Sequence, residues 1–127
     1  MCVVGLKMSL AISVHLVDEA SGGIGTEIPL PLGGDLAGFE IWRKELYGSD
    51  DAVRLGLTLL PTLRQDDIRA TGEDIKRLRR EAECIADNAQ LFASRIGVEE
   101  RAIRFRAENI ARACDVALSR NAMVWIS

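Results

Sequence analysis

The sequence predicts an α+β fold, a small antiparallel sheet packed against about four helices. Three observations carry it: a strictly alternating apolar segment near the N-terminus, a stretch of strand formers at the C-terminus, and two amphipathic helical patterns joined by a short turn between them. With 127 residues, 48% of them apolar and 28% charged, the chain fits one domain spanning 1–127, long enough to bury a core without disulfide or metal support. Residues 1–8 read as a frayed extension, Met8 being an alternative start.

The first strand is residues 9–17, where Leu10, Ile12, Val14 and Leu16 point one way and Ser9, Ala11, Ser13 and His15 the other. It runs into Val17-Asp-Glu-Ala-Ser-Gly-Gly-Ile-Gly25, whose glycines suggest a nucleotide-phosphate loop. Such a loop needs a helix to start at the glycines and aim its free N–H groups at the phosphates. Pro29 and Pro31 follow too soon for that helix, and Asp18 and Glu19 would repel phosphate. The segment reads instead as a surface loop with an extended piece over Ile28–Leu32, an edge strand.

Asp35 is a suitable N-cap for a helix running to Tyr47, with Leu36, Phe39, Trp42, Leu46 and Tyr47 on one side. Ser49 or Asp50 then caps a second helix that faces Val53, Leu57 and Leu60 inward and stops at Pro61. Residues 62–71 read as a connector containing Asp66-Asp67. Thr71-Gly-Glu-Asp74 resembles a capping box, and Ile75, Leu78, Ala82, Ile85, Ala89, Phe92 and Ile96 follow at steps of three and four up to a Gly97 C-cap. Ile103, Ala107, Ile110, Cys114 and Ala117 repeat the steps. The two long helices form an antiparallel hairpin with an alanine-rich seam, which also admits a homodimer. Ala122-Met-Val-Trp-Ile-Ser127 forms the last strand, with residues 9–17 as its partner.

Charge and composition narrow the function. Net charge is −3, with four Lys/Arg against eight Asp/Glu in residues 1–63 and twelve against eleven in residues 64–127. Neither half carries the uncompensated positive surface that nucleic acid needs. Lys76, Arg77, Arg79 and Arg80 form the densest basic run, but Glu73, Glu81 and Glu83 interleave with them at helical spacing. No apolar window is long enough to span a membrane. No secretory signal is evident either, so the protein reads as cytoplasmic. Cys2, Cys84 and Cys114 lack paired spacing, and with one histidine they leave neither a disulfide framework nor a metal site. No residue stands out as catalytic, and no cofactor motif is present.

The candidate binding residues are Trp42, Tyr47, Asp66, Asp67, Arg104 and Arg106. Trp42 and Tyr47 are of the type that anchors partners or lines pockets, although their helical spacing equally fits a core. Asp66 and Asp67 lack the helix-start position that explains Asp50 and Asp51. Arg104 and Arg106, with Glu108 and Asn109, place several polar groups within two helical turns.

Trp42 with Leu46-Tyr-Gly-Ser49, Leu55-Gly-Leu-Thr-Leu-Leu-Pro61 with Asp67-Ile68, Gly72-Glu-Asp-Ile75, and Ile103-Arg-Phe-Arg106 with Glu108-Asn-Ile110 together resemble a family of small bacterial proteins without an assigned activity. The resemblance covers roughly residues 39–127. In size and in lacking a catalytic signature the chain is also similar to the immunity proteins of bacterial toxin systems, which act by stoichiometric binding. The expected function is therefore a non-enzymatic protein-binding module of a bacterial cytoplasm, of immunity or accessory type. A small-molecule domain using an aromatic/Arg pocket is the alternative, and an enzyme of unknown class the third.

Overall fold

A computed structural model describes residues 9–127; the expected extension, Met8 and Cys2 lie outside the described residues. Strand β1 (Ser9–Val17) is central to a five-stranded antiparallel sheet, and its alternation has the expected outcome, with Leu10, Ile12 and Val14 buried. The C-terminal strand β5 (Ala122–Ile126) pairs with it as expected, setting Ile12 opposite Ile126 and Val14 opposite Val124. A one-residue slip would turn these four side chains out of the core, so the apolar pattern fixes the register. On its other edge β1 pairs with β2 (Ile24–Ile28) through its second half and with β3 (Leu36–Phe39) through its first. Strand β4 (Ile68–Ala70) closes the far edge against β5.

The glycine-rich stretch is the turn of the β1–β2 hairpin. Gly22 takes a left-handed φ of 71°, and the Asp18 carboxylate accepts from Ser21 Oγ at 2.7 Å and from the Ala20 N–H at 3.2 Å, which holds its pKa below the usual value. A strand leaves this turn where a phosphate site would need a helix. That strand ends at Ile28, before the prolines rather than across them, because Pro29 lacks the N–H to extend the ladder.

The helix expected from Asp35 to Tyr47 does not form. Leu36–Phe39 is β3, and only Arg43–Tyr47 winds, as one π turn. Gly38 sits at φ 131° with the Trp42 indole packed on its backbone, a conformation closed to a helix and a site without room for a Cβ. Trp42, Leu46 and Tyr47 still face the core, whereas Leu36 and Phe39 turn outward.

The second helix is shorter than expected. Helix α1 (Asp50–Arg54) starts as expected, Ser49 Oγ accepting from the Ala52 N–H at 3.2 Å, but Gly56 at φ 89° ends it and leaves Val53 exposed. Pro61 opens a 3-10 turn over Leu60–Arg64 instead of stopping a helix, in keeping with its lack of an N–H at a first-turn position. The connector beyond contains β4, a strand of three residues and too short to show a period.

The hairpin is present with two corrections. Gly72, at φ 56°, is the N-cap and no side chain caps, so the Thr71 capping box does not form. The long helix is divided into α2 (Glu73–Asp87) and α3 (Ala89–Ile96). Asn88 divides it: its Nδ2 donates to the Cys84 carbonyl at 2.8 Å and competes with the backbone for that acceptor. Gly97 ends α3 in the left-handed conformation, and α4 (Glu100–Leu118) returns antiparallel along α2. Leu78, Ala82 and Ile85 of α2 and Ile103, Ala107, Ile110 and Cys114 of α4 are all buried, and Arg79 Nε bridges the pair to Asp115 at 2.6 Å. No helix among the described residues is long and apolar enough to cross a membrane.

Candidate functional site

The structure scatters the six candidate residues. Trp42 and Tyr47 are core, the Tyr47 hydroxyl donating to the Ala37 carbonyl at 2.6 Å, with burial raising its pKa well above the ordinary phenol range. Asp66 and Asp67 lie on the opposite edge, where Arg43 gathers the chain. Its guanidinium donates to Asp67 Oδ1 at 2.7 Å, to the Asp66 carbonyl at 3.0 Å, to the Leu63 carbonyl at 3.1 Å and to Glu40 at 2.6 Å. This clamp fixes the entry to β4 and gives the Asp67 carboxylate a structural task, while the Asp66 carboxylate accepts from the Asp67 N–H at 2.8 Å. Arg104 turns to Glu100 at 2.6 Å on the exposed side of α4, away from Arg106. The expected Arg104/Arg106 cluster is thus two separate residues.

Arg106 has a different setting. Its guanidinium carbon lies 5.0 Å from the Phe39 ring centroid, 5.7 Å from Trp42 and 6.0 Å from Phe105, while Nη1 donates to the Ala102 carbonyl at 3.1 Å. Phe39 stacks edge-on to Trp42 at 5.2 Å. These contacts make one surface of β3 and α4, on which Leu36 is 39%, Phe39 43% and Phe105 42% exposed. Phe39 and Phe105 are linked on this surface through the Arg106 guanidinium that lies near both rings.

The surface continues into a groove of about 380 Å³ between the loop of residues 30–34 and α4, walled by Leu30, Pro31, Phe105, Ala113 and Val116. Asn109, 2% exposed, ties the loop to α4 at the floor of the groove: its Nδ2 donates to the Gly33 carbonyl at 3.0 Å and the Leu36 carbonyl at 2.9 Å. Its Oδ1 accepts from Arg112 at 2.7 Å. Neither Arg106 nor Arg112 meets a carboxylate among the described residues. Most of the hairpin's other basic residues do: Lys76 pairs with Glu73, Arg77 with Asp74 and Glu81, Arg79 with Glu83 and Asp115.

Among the described residues no thiol is set against a base. His15 contacts Ser13 at 3.0 Å and Trp125 at 6.0 Å rather than a thiol. Burial, with Asp115 adding to it, pushes the Cys114 thiol up to about 12, and burial with Asp87 raises Cys84, so neither is a thiolate near neutral pH. Among the described residues no three His, Cys, Asp or Glu converge as metal ligands.

One polar residue was invisible in the sequence. Glu81, in sequence one of the acids that interleave with the basic run, is 7% exposed, and its carboxylate accepts from the backbone N–H groups of Thr58 at 3.1 Å, Leu59 at 3.0 Å and Leu60 at 2.8 Å. The free N–H groups at the start of the 3-10 turn are the reason a carboxylate is stable there. Only its position on the buried flank of α2, one step before Ala82, could have signalled it. Compared with protein-family models, with curated proteins and with solved structures, the chain matches none.

Proposed function

We propose that the chain is a non-enzymatic binding module that takes a protein partner on the β3/α4 face, in a bacterial cytoplasm and in the immunity or accessory manner. The observation that carries this reading is the pair of half-exposed rings, Phe39 and Phe105, on either side of an Arg106 guanidinium that meets no carboxylate among the described residues, with Leu36 exposed on the same strand as Phe39. Aromatic residues and arginine dominate the energetics of protein interfaces. Rigid support lies beneath them, since Trp42 and the Asn109 bonds fix the backbone before any partner arrives, which limits the ordering cost of association. The partner's matching surface carries apolar side chains around a carboxylate for Arg106.

The test is affinity capture from lysate of the source organism, comparing the wild type with Phe39→Ser/Phe105→Ser and with Asp66→Asn/Asp67→Asn. One stoichiometric protein retained by the Asp variant and lost by the Phe variant supports the reading. Loss with the Asp variant alone moves the interface to the Arg43 edge, and a second copy of the chain as sole partner, seen by sedimentation, makes it a homodimer surface.

A further inference from the structure

The groove beside this face carries chemistry that a flat protein interface does not use. Its volume of about 380 Å³ falls within the range of roughly 300–1,000 Å³ that small molecules occupy. Its walls are apolar, contributed by Leu30, Pro31 and Val116 among others. The one cation among its lining side chains is Arg112. Arg112 is steadied by Asn109 Oδ1 at 2.7 Å, and Asn109 is itself held by two backbone carbonyls, so the guanidinium is positioned with most of its donors free. Asp115 also lines the groove; its Oδ1 accepts from Arg79 Nε at 2.6 Å, a guanidinium it shares with Glu83, so this carboxylate is held on the Arg79 side rather than paired with Arg112. An apolar groove with an unpaired guanidinium in its wall is complementary to an apolar molecule carrying an anion.

We propose that the groove binds a small amphipathic carboxylic acid, its carboxylate on Arg112 and its tail between the proline loop and Val116. Leu32, fully exposed at the lip, stands where it can cover the tail. The site differs from the aromatic/Arg pocket expected from the sequence, because Trp42 and Arg104 have no part in it. It needs no protein partner, so it stands or falls separately from the proposed function.

The experiment is a titration of the full chain with decanoate followed by backbone amide chemical shifts, with decanol and decyltrimethylammonium as matched probes. The expected result is a shift pattern confined to residues 30–34 and 105–116, with a dissociation constant on the order of 0.1–1 mM. Decyltrimethylammonium should bind at least about tenfold more weakly, because its head repels Arg112. Arg112→Gln should bring decanoate down to the level of decanol while leaving decanol unchanged, and Arg112→Lys should restore most of the difference. Val116→Trp should block all three probes. Equal affinity for decanoate and the ammonium probe, shifts elsewhere on the surface, or no shift at millimolar probe overturns the proposal. So does an Arg112→Gln variant that weakens decanol and decanoate alike, since Arg112 would then act only through Asn109.

Discussion

Glu81 and the β3/α4 face solve opposite problems, and the contrast separates what this fold finishes from what it leaves open. At Glu81 a charge is taken into the interior, and three backbone N–H groups, the Thr58 hydroxyl and Arg77 meet it there. Every partner is internal. On the β3/α4 face apolar rings stay outside and two guanidiniums meet no carboxylate among the described residues. A buried charge must be satisfied for the chain to fold, whereas an exposed ring lowers solubility without contributing to stability. The first arrangement is explained by folding alone; the second is the one on which the proposed function rests.

Substitutions can break this comparison at either end. The largest effect is expected at Glu81. Glu81→Ala removes the acceptor for three backbone donors and should cost about 3–5 kcal/mol in denaturant unfolding, with Glu81→Gln intermediate. A loss within ~1 kcal/mol would mean the carboxylate is not the anchor of the 58–60 segment. Next comes Gly38→Ala, which puts a Cβ against the Trp42 ring at a left-handed φ of 131°. It should cost about 2–4 kcal/mol and reduce Trp42 near-UV dichroism.

An alkaline titration sharpens the contrast between inside and outside. Cys114 has its thiol raised from 9.0 to about 12 by burial and Asp115. The folded state therefore holds the proton more tightly than the unfolded state. The contribution is complete below pH 9 and is lost as pH rises from 9 towards 12, at up to about 1.4 kcal/mol per pH unit. Cys114→Ala should flatten that limb of the stability profile; an unchanged slope would assign it to other groups, Tyr47 first. The smallest stability effect is expected at the open face. Phe39→Ser/Phe105→Ser should cost about 1–2 kcal/mol in unfolding free energy, since both rings are already about two-fifths exposed and lose only the part they bury.

The legible part of the fold was the part set by period. Strand β1, its pairing with β5 and the hairpin of α2, α3 and α4 followed from alternation and from steps of three and four. What escaped was set by single residues acting over a distance. Gly38 makes a strand of a segment that reads as helix because Trp42 must sit on its backbone. Asn88 interrupts a continuous apolar stripe through one side-chain hydrogen bond. The candidate site was legible only in outline: Arg106 was singled out, but for a cluster with Arg104 that α4 turns apart. Phe39 was read as an inward residue because the helix was assumed. Arg112 and the proline loop become neighbours only through Asn109, a contact between residues 73 to 76 positions apart.

The most direct test of the central claim is isothermal calorimetry of the captured partner against the wild type, Phe39→Ser/Phe105→Ser and Glu81→Gln. The open-face variant should bind at least about a hundredfold more weakly while melting no lower than Glu81→Gln, and Glu81→Gln should bind as the wild type does. A partner that binds the open-face variant as tightly as the wild type would contradict the assignment of function to this face.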